Sequence, residues 1–470
     1  MNSKYEVIIG LEVHVQLKTR TKLFCACPAE FGGQPNTNIC PICSGLPGVL
    51  PTMNQHAVDL AIKAGLALNC QISEKSSFAR KHYFYPDLPK GYQITQYKEP
   101  LAINGFVEID GLKISIRRIH LEEDSGKSIH SPTESLIDFN RCGVPLIEIV
   151  TEPEIRSPDQ AVKYLQTLRQ IMRYLDVSDC EMEKAHFRCE PNISLRPIGQ
   201  KQFGVRTELK NLNSLNSVHQ ALEFEINRQS KILDTGGVIV QETLFWDEQN
   251  RVAGTMRGKE ESEDYRYFPE PDLPVLVLNR ENIDNIKNTL PLLPWQRKKI
   301  LKEKYNLSEN IVNIILETKE FADYFVETIK LCDDAKLVAN WLVTEVKAVL
   351  NDKSISINEF NIIPKELANL LNLLRAQKIT GTVAKEIFTD MVLTNKTATE
   401  IVNEKGLFLS NDDSLLIKSI DEVLTENADI VAKYKSGKTS VISFLIGAVL
   451  QKTHGKLTPQ KIKDKILEKL

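Results

Sequence analysis

The sequence predicts an α+β protein, with an antiparallel-sheet domain first and all-α domains after it. Short runs of alternating polar and apolar residues, broken by Gly and Pro, fill residues 1 to about 290. Pro269, Pro271, Pro274, Pro291 and Pro294 then punctuate the chain. After Trp295 the texture becomes Lys/Glu/Leu-rich, with helical spacing and few strands. The divisions that follow are 1–292 for the sheet domain, 293–408 for a helical domain and 409–470 for a helical tail opening near Asp412. A chain of 470 residues has ample core for such a division.

From Tyr5 to Lys18, Val7, Ile9, Leu11, Val13, Val15 and Leu17 face one way. Glu12, His14 and Gln16 face the other, following Gly10, which is the pattern of a half-buried strand. Next come Cys25-Ala26-Cys27 and Cys40-Pro41-Ile42-Cys43, with twelve residues between the pairs. Two close cysteine pairs joined by a Gly/Pro/Asn-rich loop suit tetrahedral zinc with four thiolates, a closed structural site; free thiols are the competing account. The segment Ile116–Lys127 ends in His120-Leu121-Glu122-Glu123-Asp124-Ser125-Gly126-Lys127. Ser157-Pro158-Asp159-Gln160 predicts a capping box with Pro at the first helical position. Val162, Leu165, Leu168, Ile171, Met172 and Leu175 follow it at helical spacing. In Arg188–Arg196 the residues Arg188, Glu190, Asn192, Ser194 and Arg196 share a face against Cys189, Ile193 and Leu195. In Val205–Lys210, Arg206, Glu208 and Lys210 oppose Val205, Thr207 and Leu209. A second helix runs from Ser217 to Leu233, Gly381 marks a turn between helices, and Trp341 and Leu342 belong to helical core.

Any one of these polar faces is accounted for by a solvated sheet surface. Pooled, they hold Glu, His and Asn together with Arg and Lys, and almost no Thr or Gln. Carboxylates bind Mg²⁺ through oxygen, and Arg and Lys neutralise phosphoryl oxygens, so such a face suits nucleotide chemistry without a Gly-rich loop. Standard loops fail. Gly437-Lys438-Thr439 resembles the end of a phosphate loop, but the required upstream Gly is Ala432. Without G-x-G-x-x-G, G-x-S-x-G or H-E-x-x-H, a serine amidase or hydrolase has no support.

The formal net charge of −3 leaves any RNA contact to local patches. The last twenty residues hold six Lys against Asp464 and Glu468. With Lys433, Lys435 and Lys438, the tail residues Lys452 and Lys456 suit an RNA backbone, a solvated helix face being the plainer account. The N-terminus lacks a signal or transit pattern, the longest apolar run, Val441–Leu450, is too short to span a bilayer, and nine cysteines are scattered through a long chain. These features predict a cytoplasmic protein with reduced thiols and no membrane segment.

Several strings together resemble one family, the B subunit of aspartyl/glutamyl-tRNA amidotransferase. They are Gly10-Leu11-Glu12-Val13-His14-Val15-Gln16-Leu17, the stretch from Lys81-His82-Tyr83-Phe84-Tyr85-Pro86 to Lys90, His120-Leu121-Glu122-Glu123-Asp124, Asp138-Phe139-Asn140-Arg141, Val144-Pro145-Leu146-Ile147-Glu148-Ile149, Glu208-Leu209-Lys210-Asn211-Leu212-Asn213-Ser214 and Asp264-Tyr265-Arg266-Tyr267-Phe268-Pro269-Glu270-Pro271. They run in order along nearly the whole chain. The resemblance implies a cradle domain similar to glutamine synthetase, a helical domain, and a YqeY-like tail that engages the tRNA body. It implies ATP-dependent phosphorylation of the side-chain carboxylate of Glu-tRNA(Gln) or Asp-tRNA(Asn), with ammonia then displacing phosphate. It also implies a heterotrimer with an amidase A subunit that releases ammonia from glutamine and a small C subunit.

Carried over by motif, Glu12, His14, Glu122 and Glu123 would bind Mg²⁺, with Glu190 and Glu208 contributing. Arg141, Arg206 and Lys210 would contact phosphate, and Lys81, Tyr83 and Lys90 would line an ammonia path. The chain departs from the family pattern at Glu190, where Asp is usual, at Ala185-His186 in place of Gly-Ser, and at Glu263 in place of His. Two other accounts stay open: a non-catalytic, zinc-stabilised tRNA-binding scaffold, and a stand-alone metallohydrolase.

Overall fold

Strand β1 (Tyr5–Gln16) buries Ile9, Leu11, Val13 and Val15, and the two-residue period of the backbone turns Gly10, Glu12 and His14 to the other side. Around it the computed structural model, which describes residues 4–131, 133–257, 265–409, 413–453 and 457–470, builds a large sheet. The strands that carry the site are β2 (Ala79–His82), β3 (Tyr92–Thr95), β4 (Leu112–Glu123), β5 (Pro145–Thr151), β6 (Phe187–Pro197), β7 (Thr207–Lys210), β8 (Glu242–Asp247) and β9 (Val252–Arg257). Their order is β9-β8-β7-β6-β1-β5-β4-β3-β2, and the strand Ala102–Ile109 also pairs with β4.

The sequence predicts an antiparallel sheet, and the observed one is mixed: β7 and β8 run parallel. A parallel neighbour needs a crossover, and α3 (Leu215–Asp234) supplies it between the two strands. Ser214 caps α3, its hydroxyl accepting the Ser217 N–H at 3.0 Å, so the helix begins two residues before the predicted start.

Three helices, α1 (Gln55–Ala67), α2 (Pro158–Tyr174) and α3, contribute to one apolar cluster with the sheet. It joins Leu60 and Ile62 of α1, Leu165 and Leu168 of α2 and Val218 and Leu222 of α3 to Leu11, Val13, Leu121, Ile147 and Ile193. Each such side chain contributes about 1.5–3 kcal/mol by leaving water. α2 has Pro158 in its first turn, and the Ser157 hydroxyl accepts the Gln160 N–H at 3.2 Å. The Gln160 side chain accepts instead from the Arg156 N–H at 2.8 Å, one residue before the position a capping box requires.

The chain divides into Met1–Pro294 and Trp295–Leu470. The second unit is helical and has its own apolar cluster, in which Trp341 lies 5.8 Å from Phe388. A smaller cluster around Ile420, Leu445 and Ile462 holds its last part together. Gly381 is not in a turn: it opens the helix Gly381–Thr394, capped by the Thr380 hydroxyl, which accepts from Val383. Asp412 lies outside the described residues, and the helix Asp413–Glu426 follows it. Among the described residues no helix is long and apolar enough to cross a membrane.

Candidate active site

The ladder of β1, β5 and β4 sets Glu148 opposite both His14 and His120. His14 Nε2 lies 3.4 Å from Glu122 and 3.6 Å from Glu148; His120 Nε2 lies 3.1 Å from Glu148 and 3.6 Å from Glu122. The Thr95 hydroxyl donates to Glu122 at 3.3 Å. Burial alone would lower both imidazoles, but the bonds and charges of Glu148 and Glu122 outweigh it and push each up to about 9. The same contacts overcome burial at Glu148 and hold its carboxyl well below the usual range. Each ring keeps a buried Nδ1 without a hydrogen-bond partner among the described residues.

A second acidic group lies next to the first. The register places Glu12 opposite Glu190, and Asn192 opposite Glu208. Ligand oxygens of Glu12, Glu190 and Glu208 lie within 4.8 Å of one another. Lys210 Nζ stands 3.1 Å from Glu190 and 3.4 Å from Glu208, while Asn192 donates to Glu12 at 3.0 Å. Burial first, then the charges of Glu148, Glu190 and Glu208, raise the Glu12 carboxyl to about 7. Glu190 is held low, Lys210 overcoming burial. Three oxygen donors with an unbalanced charge fit a hard divalent cation such as Mg²⁺. Beside Glu12 opens a cavity of about 390 Å³ lined by Arg117, Asn192, Phe203, Gly204 and Arg206. Arg206 precedes β7 and makes no ion pair among the described residues.

Other residues singled out in the sequence lie elsewhere. Glu123, adjacent to Glu122 on a strand, points to the opposite face, where it pairs with Lys90 and accepts the Ile94 N–H at 2.9 Å. This pair lines a cavity of about 220 Å³ that also touches Cys25, Cys43 and Lys22. Lys81 stays on the side of the acidic groups, its amine 4.6 Å from the Tyr265 ring centroid and 5.7 Å from that of Tyr83. Arg141 donates to the carbonyls of Ser125 at 3.1 Å and Gly126 at 2.6 Å, and lies 3.5 Å from Asp124.

The four sulfurs of Cys25, Cys27, Cys40 and Cys43 lie within 4.8 Å of one another, a donor set that fits zinc. A hydrogen bond from Cys25 is the main cause that lowers the Cys43 thiol to about 4. The buried Lys22 amine sits 3.5 Å from the Cys43 sulfur and 3.2 Å from the Phe139 carbonyl. In the tail, Lys433 is 3.7 Å from Asp429, and Lys452 is 2.9 Å from Glu422 and 2.7 Å from Glu426. Lys435 and Lys438 make no ion pair among the described residues. Lys456, like Glu263 and Asp264, lies outside the described residues.

Sequence reasoning missed Glu148, His120 and the Asp124–Arg188 pair, whose atoms approach to 3.0 Å. The signal for Glu148 was a lone carboxylate in the otherwise apolar run Pro145–Val150.

A model of the GatB/GatE catalytic domain family matches residues 7–284, and a GatB domain model matches residues 323–470. The B subunit of aspartyl/glutamyl-tRNA(Asn/Gln) amidotransferase from Carboxydothermus hydrogenoformans is 48% identical over 476 residues, with 99% of each chain covered. The protein of the same name from Caldicellulosiruptor bescii is also 48% identical over 476 residues, 99% of each chain. That from Brevibacillus brevis is 46% identical over 474 residues, 100% of this chain and 99% of its own.

Proposed function

The chain belongs to the family of aspartyl/glutamyl-tRNA(Asn/Gln) amidotransferase B subunits, and we propose that it activates a misacylated tRNA for amide formation. A side-chain carboxylate oxygen of Glu-tRNA(Gln) or Asp-tRNA(Asn) attacks the γ-phosphorus of ATP and ADP leaves. Ammonia then adds to the acyl carbon, phosphate departs, and the nitrogen loses a proton to a base. A carboxylate is a poor electrophile, and phosphorylation gives it a leaving group.

One observation carries this reading: two acidic groups, His14/Glu122/Glu148 and Glu12/Glu190/Glu208, share one sheet face with Lys210 beside them. A divalent cation such as Mg²⁺ would supply positive charge there against the phosphate oxygens. Glu12, Glu190 and Glu208 would hold it. Lys210 and Arg206 would meet the phosphoryl charge, with the base and sugar of ATP in the cavity lined by Phe203 and Gly204. The proposal extends to a glutamine-synthetase-like cradle over 1–292, a helical domain over 293–408 and a YqeY-like, tRNA-binding tail over 409–470. Its partners would be a glutamine-hydrolysing A subunit and a small C subunit in the cytoplasm, with ammonia passing Lys81, Tyr83 and Lys90, and zinc on the four cysteines stiffening the loop beside that path.

The test is ADP release by the reconstituted complex with misacylated tRNA and ammonium chloride in place of glutamine. Glu148→Gln is expected to cut the tRNA-dependent rate on the order of a hundredfold or more, the scale of removing one electrostatic interaction with a transition state. Glutamine hydrolysis by the partner should persist. Normal ADP release and amide formation in the variant would sink the catalytic reading and leave the scaffold.

A further inference from the structure

Along the β4–β5 ladder the pair Arg118/Val150 follows His120/Glu148, so Arg118 lies on the same face as the acidic group. His120 and Glu122 are bonded into that group. Arg118 is not: it makes no ion pair, and its Nε is buried without a hydrogen-bond partner among the described residues. A guanidinium held beside carboxylates yet left unpaired is a receptor for an anion that arrives from outside.

Thr95 pairs with Glu122 across β3 and β4, and the Gln96 side chain accepts the Leu121 N–H at 3.0 Å, so the chain leaving β3 runs alongside β4 toward His120 and Arg118. Tyr97 lies two residues past Thr95, whose hydroxyl bonds Glu122. Its ring stacks on Tyr267 with centroids 4.0 Å apart and planes within 4°. One face of Tyr97 is covered by that stack, yet the residue remains 43% exposed. A stacked tyrosine with an open face next to an unpaired arginine suits a nucleotide whose base is free of pairing: base on the ring, phosphate on the guanidinium.

Building on the proposed activity, we propose that Tyr97, Tyr267 and Arg118 seat the unpaired 3′-terminal nucleotide of the aminoacylated tRNA, presenting its acyl group to the carboxylate and histidine cluster. The chemistry of base plus phosphate belongs to ATP as well. ATP, however, has the cavity beside Glu12 with its own arginine, Arg206, which enters from the β7 side of β6, β1 and β5; the two sites meet only at Val150, which lines that cavity and pairs with Arg118. The tyrosine shelf therefore falls to the RNA end. Tyr97 and Arg118 are positioning residues here, acting on where the acyl group lies.

The experiment compares binding of intact tRNA(Gln) and of tRNA(Gln) lacking its last nucleotide to the full chain, with MgATP binding measured in parallel. Wild type should prefer the intact RNA by roughly tenfold, the scale of stacking one base on an aromatic ring. Tyr97→Ala should erase that preference and leave MgATP affinity unchanged, while Tyr97→Phe should restore the preference. If Tyr97→Ala keeps the preference, or weakens MgATP instead, the seat is not for the RNA end. The comparison needs no turnover, so it decides the seat separately from the ADP-release test of the activity.

Discussion

Three carboxylates whose oxygens lie within 4.8 Å cannot all stay ionised without counter-charge. Lys210 reaches Glu190 and Glu208, and Glu12 is left with a carboxyl raised to about 7. A carboxyl raised in the folded chain holds its proton where the unfolded chain has lost it. The stability this gives is present below the ordinary carboxyl range and is lost as pH rises through about 7. A divalent cation at this group needs Glu12 ionised, so binding must expel that proton. Near pH 6, Mg²⁺ binding should release about one proton, and near pH 8 almost none. Calorimetry in two buffers of different ionisation enthalpy reads this directly. Glu12→Gln should abolish the release, and a release independent of pH would exclude Glu12 as its source. Glu12 was legible because the polar positions of β1 repeat at Glu12 and His14. Glu148 was harder: Leu146 and Val150, its neighbours on the same face of β5, are apolar, so alternation had no second polar position to register. Glu122 and Glu123 look like a pair in sequence, and the strand period sends them to opposite faces.

The segment that enters β7 is held by close backbone approach. A Cβ on Gly204 would stand 2.1 Å from the Leu195 carbonyl oxygen of β6, and backbone there cannot yield. Gly204→Ala should therefore lift the stretch carrying Phe203 and Arg206 away from its cavity. We expect a loss of about 1–3 kcal/mol of stability, the usual range for overpacking, and ATP affinity reduced roughly tenfold or more, the equivalent of about 1.4 kcal/mol of binding. Mg²⁺ binding at Glu12, Glu190 and Glu208 should survive, because β1, β6 and β7 keep their ladder. Thermal denaturation and ATP titration check both; unchanged ATP affinity would remove this segment from the nucleotide site. At this scale the helices were the legible part, since Ser157 with Pro158 announces α2. The parallel pairing of β7 with β8 was not, because alternation gives the face of a strand and carries nothing about its partner.

Over the whole molecule, charge is distributed so that the net value of −3 hides local cationic ground. The helical content of the second unit is legible in its Lys/Glu/Leu texture. Which of its lysines are available is not, because a lysine's partner can come from another helix. Lys452 shows this: Glu422 and Glu426 lie thirty and twenty-six residues away in sequence, yet both hold it. A lysine already paired gains little from a phosphate, whereas an unpaired one releases condensed counterions from the RNA when it binds. Lys435 and Lys438 are exposed and unpaired among the described residues, flanking a turn at Gly437 whose positive φ of 100° suits glycine. If this tail meets the tRNA backbone, replacing both by alanine should lower affinity for all tRNAs alike. It should reduce the slope of log affinity against log salt by about two, one for each phosphate no longer neutralised. Lys452→Ala should leave that slope unchanged. The rate of ADP release at saturating tRNA should stay at the wild-type value, since the carboxylates proposed to support the chemistry belong to the first unit. A slope that falls for Lys452→Ala and not for the double variant would place the RNA on a different face of the tail.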